Sequence, residues 1–385
     1  MGAGGWVREY AVQVETIAND VGLPTLFQTT DASAITFAPS KIGVAGDGTA
    51  RGKFKLLLTN KPDLVSSSAV KESEKATGFA DNTEEDFVAL IAEPAKFAPE
   101  MEANAYTVSL FMQLLAQTGS TQSGVATLTS TFVPYTKIDM IYFAAFMGKV
   151  QQIGGVVTEC ALMRGCVPSS VKLSAAEGET LKLSAEVMGA SWSKAFNGTG
   201  IPAVADSISK KAFLKWQNAI ILIDDAYVTA GDPDSGLKTL TDSTTLTRFA
   251  LQGFELTLTN GLLAKFYNSE TIQSYVLGKY KASGTFVIPW VVPGPGLETR
   301  YYWSHIQNFR DGITKHLKIF WGNADATSDN SLVIDMYIKY NTGTLEGDDV
   351  LGSNMAFTCV QPTAGTPSVT IKCGHTKTDL NRGLT

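Results

Sequence analysis

Short runs in which apolar and polar side chains alternate recur along this chain, and turn-forming Gly, Ser, Thr, Asn or Asp residues lie between them. A period of two puts successive side chains on opposite faces of an extended strand, one face to bury and one to hydrate. The runs 53–59 (KFKLLLT), 125–133, 171–175, 180–188, 218–224 (NAIILID), 254–259 (FELTLT), 283–290 (SGTFVIPW), 316–321 (HLKIFW) and 331–338 (SLVIDMYI) are therefore predicted strands. Their spacing is that of a β-sandwich or barrel.

Two stretches carry a helical period instead. In NTEEDFVALIAEPAKFAPE, Asn82 and Thr83 offer a cap and Glu84, Glu85 and Asp86 suit the positive end of a helix dipole. Phe87, Leu90 and Ile91 then repeat at i, i+3, i+4, and Pro94 ends the segment. A second helix is predicted over 103–117 (ANAYTVSLFMQLLAQ), with Tyr106, Leu110 and Leu114 in one stripe and Gly119 just beyond its end. The expected class is mainly β, with one or two flanking helices.

Three segments interrupt the strand pattern. Residues 193–212 and 291–304 contain Gly and Pro without a strand period and read as surface excursions. Residues 61–83 are polar and charged without strong period, as in a loop that orders against a partner. The chain is thus expected as one β domain, 1–362, with insertions at 61–83, 193–212 and 291–304, followed by a C-terminal extension, 363–385. FKLLLTN at 54–60 echoes FELTLTN at 254–260, either by chance recurrence of a strand pattern or as a trace of a duplicated domain.

Composition narrows the function. In 385 residues, 44% apolar content supplies a sizeable core. With 31 basic against 37 acidic residues and a net charge of −6, the chain lacks the excess of cations that grips nucleic-acid phosphates. Four dispersed cysteines do not make a disulfide scaffold, and MGAGGWVREYAV lacks the parts of a signal peptide, so synthesis in a reducing interior is expected. The most apolar stretch, IDMIYFAAFM, is about half the roughly 20 residues that span a bilayer, so membrane insertion is not expected.

No chemistry-bearing motif stands up. In GVAGDGTARGK, 43–53, Phe54 follows Lys53 where a phosphate loop needs Ser or Thr, so the segment reads as a turn. His305, His316 and His375 lack metal-ligand spacing, Cys160 and Cys166 are six apart, and no G-x-S-x-G occurs. Glu84/Glu85, Asp224/Asp225 and Asp348/Asp349 invite a glycosidase reading, yet neighbours on a strand point to opposite faces. Tyr301, Tyr302 and Trp303 suit either stacking on a ligand or burial against a neighbouring subunit. No enzyme activity, cofactor or metal is expected.

The segment GGVVTECALMRGCVPSSVKLSAAEGETLKLSAEVMGASW, 154–192, resembles the centre of the tail tube proteins of long-tailed bacteriophages. FELTLTNGLLAKFYNSETIQSYVLGKYKASGTFVIPW, 254–290, is similar to their strand with an Asn-Gly-Leu ending and a following strand that opens Gly-Thr-Phe. SLVIDMYIKYNTGTLEGDDVLGSNMAFTCVQP, 331–362, is similar to their closing strand pair. The likeness covers about 150–362 and is closer to siphophage-type tubes than to sheathed ones. It implies a tail-tube β-sandwich whose inner sheet joins those of its neighbours in a ring-shaped β-barrel between subunits. Rings of six copies, or of three copies of a duplicated domain, would stack into a tube that conducts the genome at ejection.

On that resemblance the partners are further copies of this chain, the tape measure, tail terminator and distal tail or baseplate proteins, with genomic DNA passing unbound. The implied location is the virion, after assembly in the host cytoplasm. Alternation then divides the hairpin at 171–189. Val171, Leu173, Leu181, Leu183, Ala185 and Val187 pack inward. Lys172, Ser174, Lys182, Ser184 and Glu186 face the lumen, with Glu177 and Glu179 at the turn. Within 61–83, Asp63, Ser66, Lys71, Glu72, Glu74 and Lys75 are the candidate contacts to the next ring. The competing expectation is a β-sandwich adhesion module for carbohydrate or protein.

Overall fold

Each of the alternating runs folds as a strand. A computed structural model describes residues 7–16, 53–60, 62, 68–72, 88–92, 94–117, 121–123, 128–133, 142–151, 157–195, 212–224, 246–248, 251–266, 272, 274–289, 312, 314–346 and 352–375. The nine runs appear there as Lys53–Leu56, Leu128–Phe132, Val157–Ala176, Lys182–Gly189, Ile220–Asp224, Gly253–Thr259, Lys281–Pro289, Lys315–Trp321 and Ser331–Glu346. All pairings among the described residues are antiparallel, as short connections allow.

Two strands far longer than their alternating runs organise the sheet. The first half of Val157–Ala176 pairs with Tyr142–Gln151 and Ser191–Ala195, the second half with Lys182–Gly189 and Gly253–Thr259. Register shifts at Met163/Cys166 and Pro168/Ser170 mark the change of partners. Gly165 there has φ 61, a left-handed conformation that glycine adopts without penalty. Ser331–Glu346 works the same way. It pairs first with Lys315–Trp321 and Val369–His375, then, from Ile338 onward and through a shift at Tyr340/Thr342, with Gly352–Cys359.

The remaining ladders extend from these. Val7–Thr16 joins Tyr142–Gln151 to Lys53–Leu56, and Leu128–Phe132 joins Val369–His375 to Thr121–Ser123. Ile220–Asp224 joins Lys315–Trp321 to Leu246–Arg248. Among the described residues the ladder branches and no path of pairings returns to its starting strand. The chain is mainly β, and its described strands do not close a barrel.

Of the two predicted helices, the second is present as Ala105–Ala116. Asn104 caps it, its side chain accepting from the N–H groups of Tyr106 and Thr107 while the Thr107 hydroxyl accepts from the Asn104 N–H. Gln117, in the left-handed region at φ 50, donates its N–H to the Gln113 carbonyl and ends it; Gly119 lies outside the described residues. The stripe of Tyr106, Leu110 and Leu114 is buried, and so is every other residue of the helix. AYTVSLFMQLLA carries no charge, so nothing holds one side in water. The helix packs on Val157–Ala176, Val369–His375, Leu128–Phe132 and Tyr142–Gln151.

The first predicted helix is overturned. Val88–Ala92 is a strand paired with Ser68–Glu72, while the presumed cap and first turn lie outside the described residues. VALIA is five consecutive apolar residues with two β-branched ones, a run that fits strand and helix alike until a partner strand decides. That partner is SAVKE, within 61–83, so this insertion is not a featureless loop.

One core joins the sheet segments. Phe97 meets Phe146 at a centroid distance of 5.1 Å, Phe146 meets Phe111 of the helix at 6.2 Å, and Trp216 bridges Phe254 and Trp321 at 6.4 and 6.2 Å. The expected C-terminal extension is also corrected: Val369–His375 is an internal strand between Ser331–Met336 and Leu128–Phe132, with Val369, Ile371 and Cys373 buried. The echoing segments occupy unlike places. Lys53–Leu56 pairs with Val7–Thr16 alone among described strands, whereas Gly253–Thr259 lies between two long ones.

Candidate functional site: the polar face of the hairpin sheet

VKLSAAEGETLKLSAEVMG folds as the predicted hairpin. Leu173 stands opposite Leu183, Val171 opposite Ala185, and Gly178 takes φ +79 in the turn. Val171, Leu173, Leu181, Leu183, Ala185 and Val187 are all buried. Lys182 and Glu186 are exposed and Lys172, Ser174 and Ser184 partly so, with Glu177 and Glu179 exposed at the turn. Buried and exposed side chains alternate as the sequence predicts, and a one-residue slip is ruled out because it would bury lysine and glutamate.

Neighbouring strands extend this face. Directly paired residues share a side of a sheet, so the registers can be followed across it. One row runs Glu100, Ser184, Lys172, Thr257, Ser283, Thr358 and Lys339. The next runs Glu102, Lys182, Ser174, Glu255, Thr285 and Ala356. A third runs Glu186, Ser170, Thr259 and Lys281. Ala356 is the sole apolar side chain in these rows.

Charge on the face is balanced. Lys172, Lys182, Lys281 and Lys339 stand against Glu100, Glu102, Glu186 and Glu255, and hydroxyls fill most positions between. Lys172 Nζ lies 2.7 Å from Glu255 Oε2, and Lys182 Nζ lies 2.8 Å from Glu179 Oε2. Thr180 donates its hydroxyl to Glu102 at 3.1 Å, tying the turn to the edge of the sheet. At that edge Asn60 acts as a short extra strand: it accepts from the Glu100 N–H and donates to the Ala98 carbonyl, while Thr59 N–H donates to Glu100 O. Among the described residues, Asn341–Glu346 at the far edge pairs on one side alone.

Beneath the face, two glycines allow close packing. At Gly284 a Cβ would overlap the Glu255 carbonyl oxygen, which fixes this residue of the SGTF run as glycine. Gly261, φ +59, lies against Gly278, and the buried Asn260 beside it donates to the Pro168 carbonyl at 2.9 Å and accepts from the Leu262 N–H at 3.1 Å. Asn260 thereby anchors the arm of Leu263–Lys265 and Ser274–Val276 to the end of the sheet. The Asn-Gly-Leu ending was visible in the sequence; its anchoring role was not, because it depends on Pro168, 92 positions away.

Of the candidate contacts to a next ring, Lys71 and Glu72 lie on Ser68–Glu72, opposite Ala89 and Val88. Asp63, Ser66, Glu74 and Lys75 lie outside the described residues, as do Tyr301, Tyr302 and Trp303.

The fold also makes polar pairs that spacing did not suggest. Ser130 Oγ is 2.8 Å from His375 Nε2, but both residues are fully buried and the ring lies against Tyr106, so no substrate reaches them. His316 Nε2 is 2.6 Å from Asp335 Oδ1 and its ring stacks on Tyr337. The thiols of Cys359 and Cys373 are free. Burial pushes the Cys359 thiol up to about 12 and Cys373 also well up. Burial, and secondarily Cys166, raises the Tyr275 hydroxyl, which donates to the Gly165 carbonyl. Among the described residues no group of three His, Cys, Asp or Glu side chains could hold a metal, and no helix is long and apolar enough to cross a membrane. No protein-family model matches this chain, and no curated protein matches it.

Proposed function

We propose that this chain is a structural protein of a bacteriophage tail, one that assembles in stacked rings into the tube through which the genome passes. The observation that carries the reading is the face just described: three rows of hydroxyls and compensating charges spread over neighbouring strands, backed by a fully apolar layer. A wall for a moving polyanion has to be rigid, hydrated and without net positive charge, since each cation that neutralises a phosphate adds to binding. A buried apolar layer supplies rigidity and the balanced face supplies the rest.

Assembly also answers a need of the sheet. Among the described residues the side of Asn341–Glu346 turned away from Gly352–Cys359 has no partner strand, so another strand can add there, and sharing sheet edges around a closed ring removes that liability. Rings of six copies, joined into a β-barrel between subunits and contacted by tape measure, terminator and distal tail proteins, are the finer form of the proposal, with the virion as its location.

The test is assembly of the purified protein, followed by negative-stain microscopy over a concentration series. Rings or filaments with a central channel support the proposal. Small oligomers that bind glycans, as an adhesion module would, overturn it.

A further inference from the structure

Two of the four lysines of the polar face, Lys172 and Lys182, are held by carboxylates of the same chain. Lys172 and Glu255 sit on adjacent strands, diagonal to one another on the same face: Lys172 is opposite Thr257 and Glu255 opposite Ser174. Their side chains are similarly half-exposed, at 42% and 40%, and meet at 2.7 Å. Lys182 meets Glu179 from the turn at 2.8 Å. Neither pair is buried deeply enough to add much stability, because exposed ion pairs contribute little. Their effect lies in what the face offers to a passing anion.

We infer that Glu255 and Glu179 are charge guards: by engaging Lys172 and Lys182 they keep this face from retaining a nucleic acid or other polyphosphate. The inference rests on the reading of the face as a channel wall. It adds that two particular glutamates determine whether phosphate is let past or held. Without a carboxylate, an ammonium group on a flexible stem is free to pair with a phosphate and release its counterions.

The experiment uses the full chain as wild type, as Glu179→Gln/Glu255→Gln, and as that double variant with Lys172→Ala and Lys182→Ala added. The probe is a fluorescein-labelled DNA duplex of about 30 base pairs of mixed sequence, followed by anisotropy between about 50 and 200 mM salt. The double variant is expected to bind the duplex more tightly than wild type at the low-salt end. Each freed lysine on a phosphate steepens the salt slope by about 0.9, so two deepen the loss of affinity across that range about tenfold. Adding the lysine substitutions returns binding to the wild-type level.

Equal binding by wild type and double variant overturns the inference, and so does a quadruple variant that binds as tightly as the double. Thermal unfolding of all three proteins confirms that they are folded. Failure of the channel reading is recognised separately, by the absence of rings and tubes from wild-type protein, and leaves the anisotropy comparison intact.

Discussion

Leu173 and Leu183 face each other across the hairpin with no exposed surface, while the next pair along, Lys172 and Ser184, turns to the opposite side. That alternation fixes the register of the whole polar face. Truncating either leucine to alanine is expected to cost about 2–5 kcal/mol, from lost burial and the cavity left behind. Ser174→Ala and Ser184→Ala on the other side are expected to change stability by less than about 0.5 kcal/mol. Chemical denaturation of the four variants checks this. Similar losses on both sides would mean that the assigned faces are wrong.

Gly284→Ala is expected to be among the most damaging small substitutions in the protein. The added methyl meets the Glu255 carbonyl and the Phe357 ring between two paired strands, where neither neighbour has room to yield. A loss of about 1–3 kcal/mol or more is expected from overpacking. A melting temperature equal to wild type would show that this strand crossing is looser than described.

Asn260→Ala removes a donated and an accepted hydrogen bond from a fully buried position, leaving the Pro168 carbonyl and the Leu262 N–H without that partner. Each buried group left unpaired costs about 1–3 kcal/mol. Hydrogen exchange is expected to quicken in 261–266 and 274–280 before the rest of the sheet, because the arm hangs on this residue. Uniform exchange across the protein would contradict a local anchor.

Alkaline pH is expected to weaken the fold through its buried thiols. In the unfolded chain a cysteine loses its proton near 9.0, whereas folded Cys359 holds its proton to about 12 and Cys373 is raised in the same direction. Between those values the folded state binds more protons than the unfolded one, so this stabilisation is complete below about pH 9 and is lost as pH rises toward about 12. Urea midpoints measured at about pH 8 and about pH 10.5 are expected to fall less in Cys359→Ala/Cys373→Ala than in wild type. An equal fall would remove the thiols from the account.

The hairpin of Ser68–Glu72 and Val88–Ala92 pairs only with itself among the described residues. Deleting 63–80 would leave Val88–Ala92 without its partner, so the unit to remove is 63–92. Its deletion is expected to leave a folded protein, by circular dichroism and cooperative melting, that no longer stacks into tubes. Tubes of normal length from the deleted protein would contradict a role in contacts between rings.

Much of this fold is legible in the sequence because a strand with one wet face announces itself by alternation. KLSAEVMG and FELTLT show it, and both faces of the hairpin follow from it. Tyr142–Gln151 does not, since YFAAFMGKVQ begins with a continuous apolar run that gives no period to read. The length of Val157–Ala176 was hidden for a different reason: bulges around Gly165 and Pro168 break the period where the strand changes partners. VALIA fits helix and strand alike, and Asn82 and Thr83 with the acidic residues after them mimic a helix start. At the candidate site the residues of each strand were legible, but their assembly into rows was not. Glu255 lies 83 positions from Lys172, and only the sheet register brings the two together.

The most direct test of the central claim is a cryo-electron microscopy reconstruction of the particles that the purified full-length protein forms. The account predicts stacked rings in which Thr257, Ser283 and Lys172 line a continuous central channel. A reconstruction in which that face points outward, or a protein that remains a small oligomer at every concentration, would contradict it.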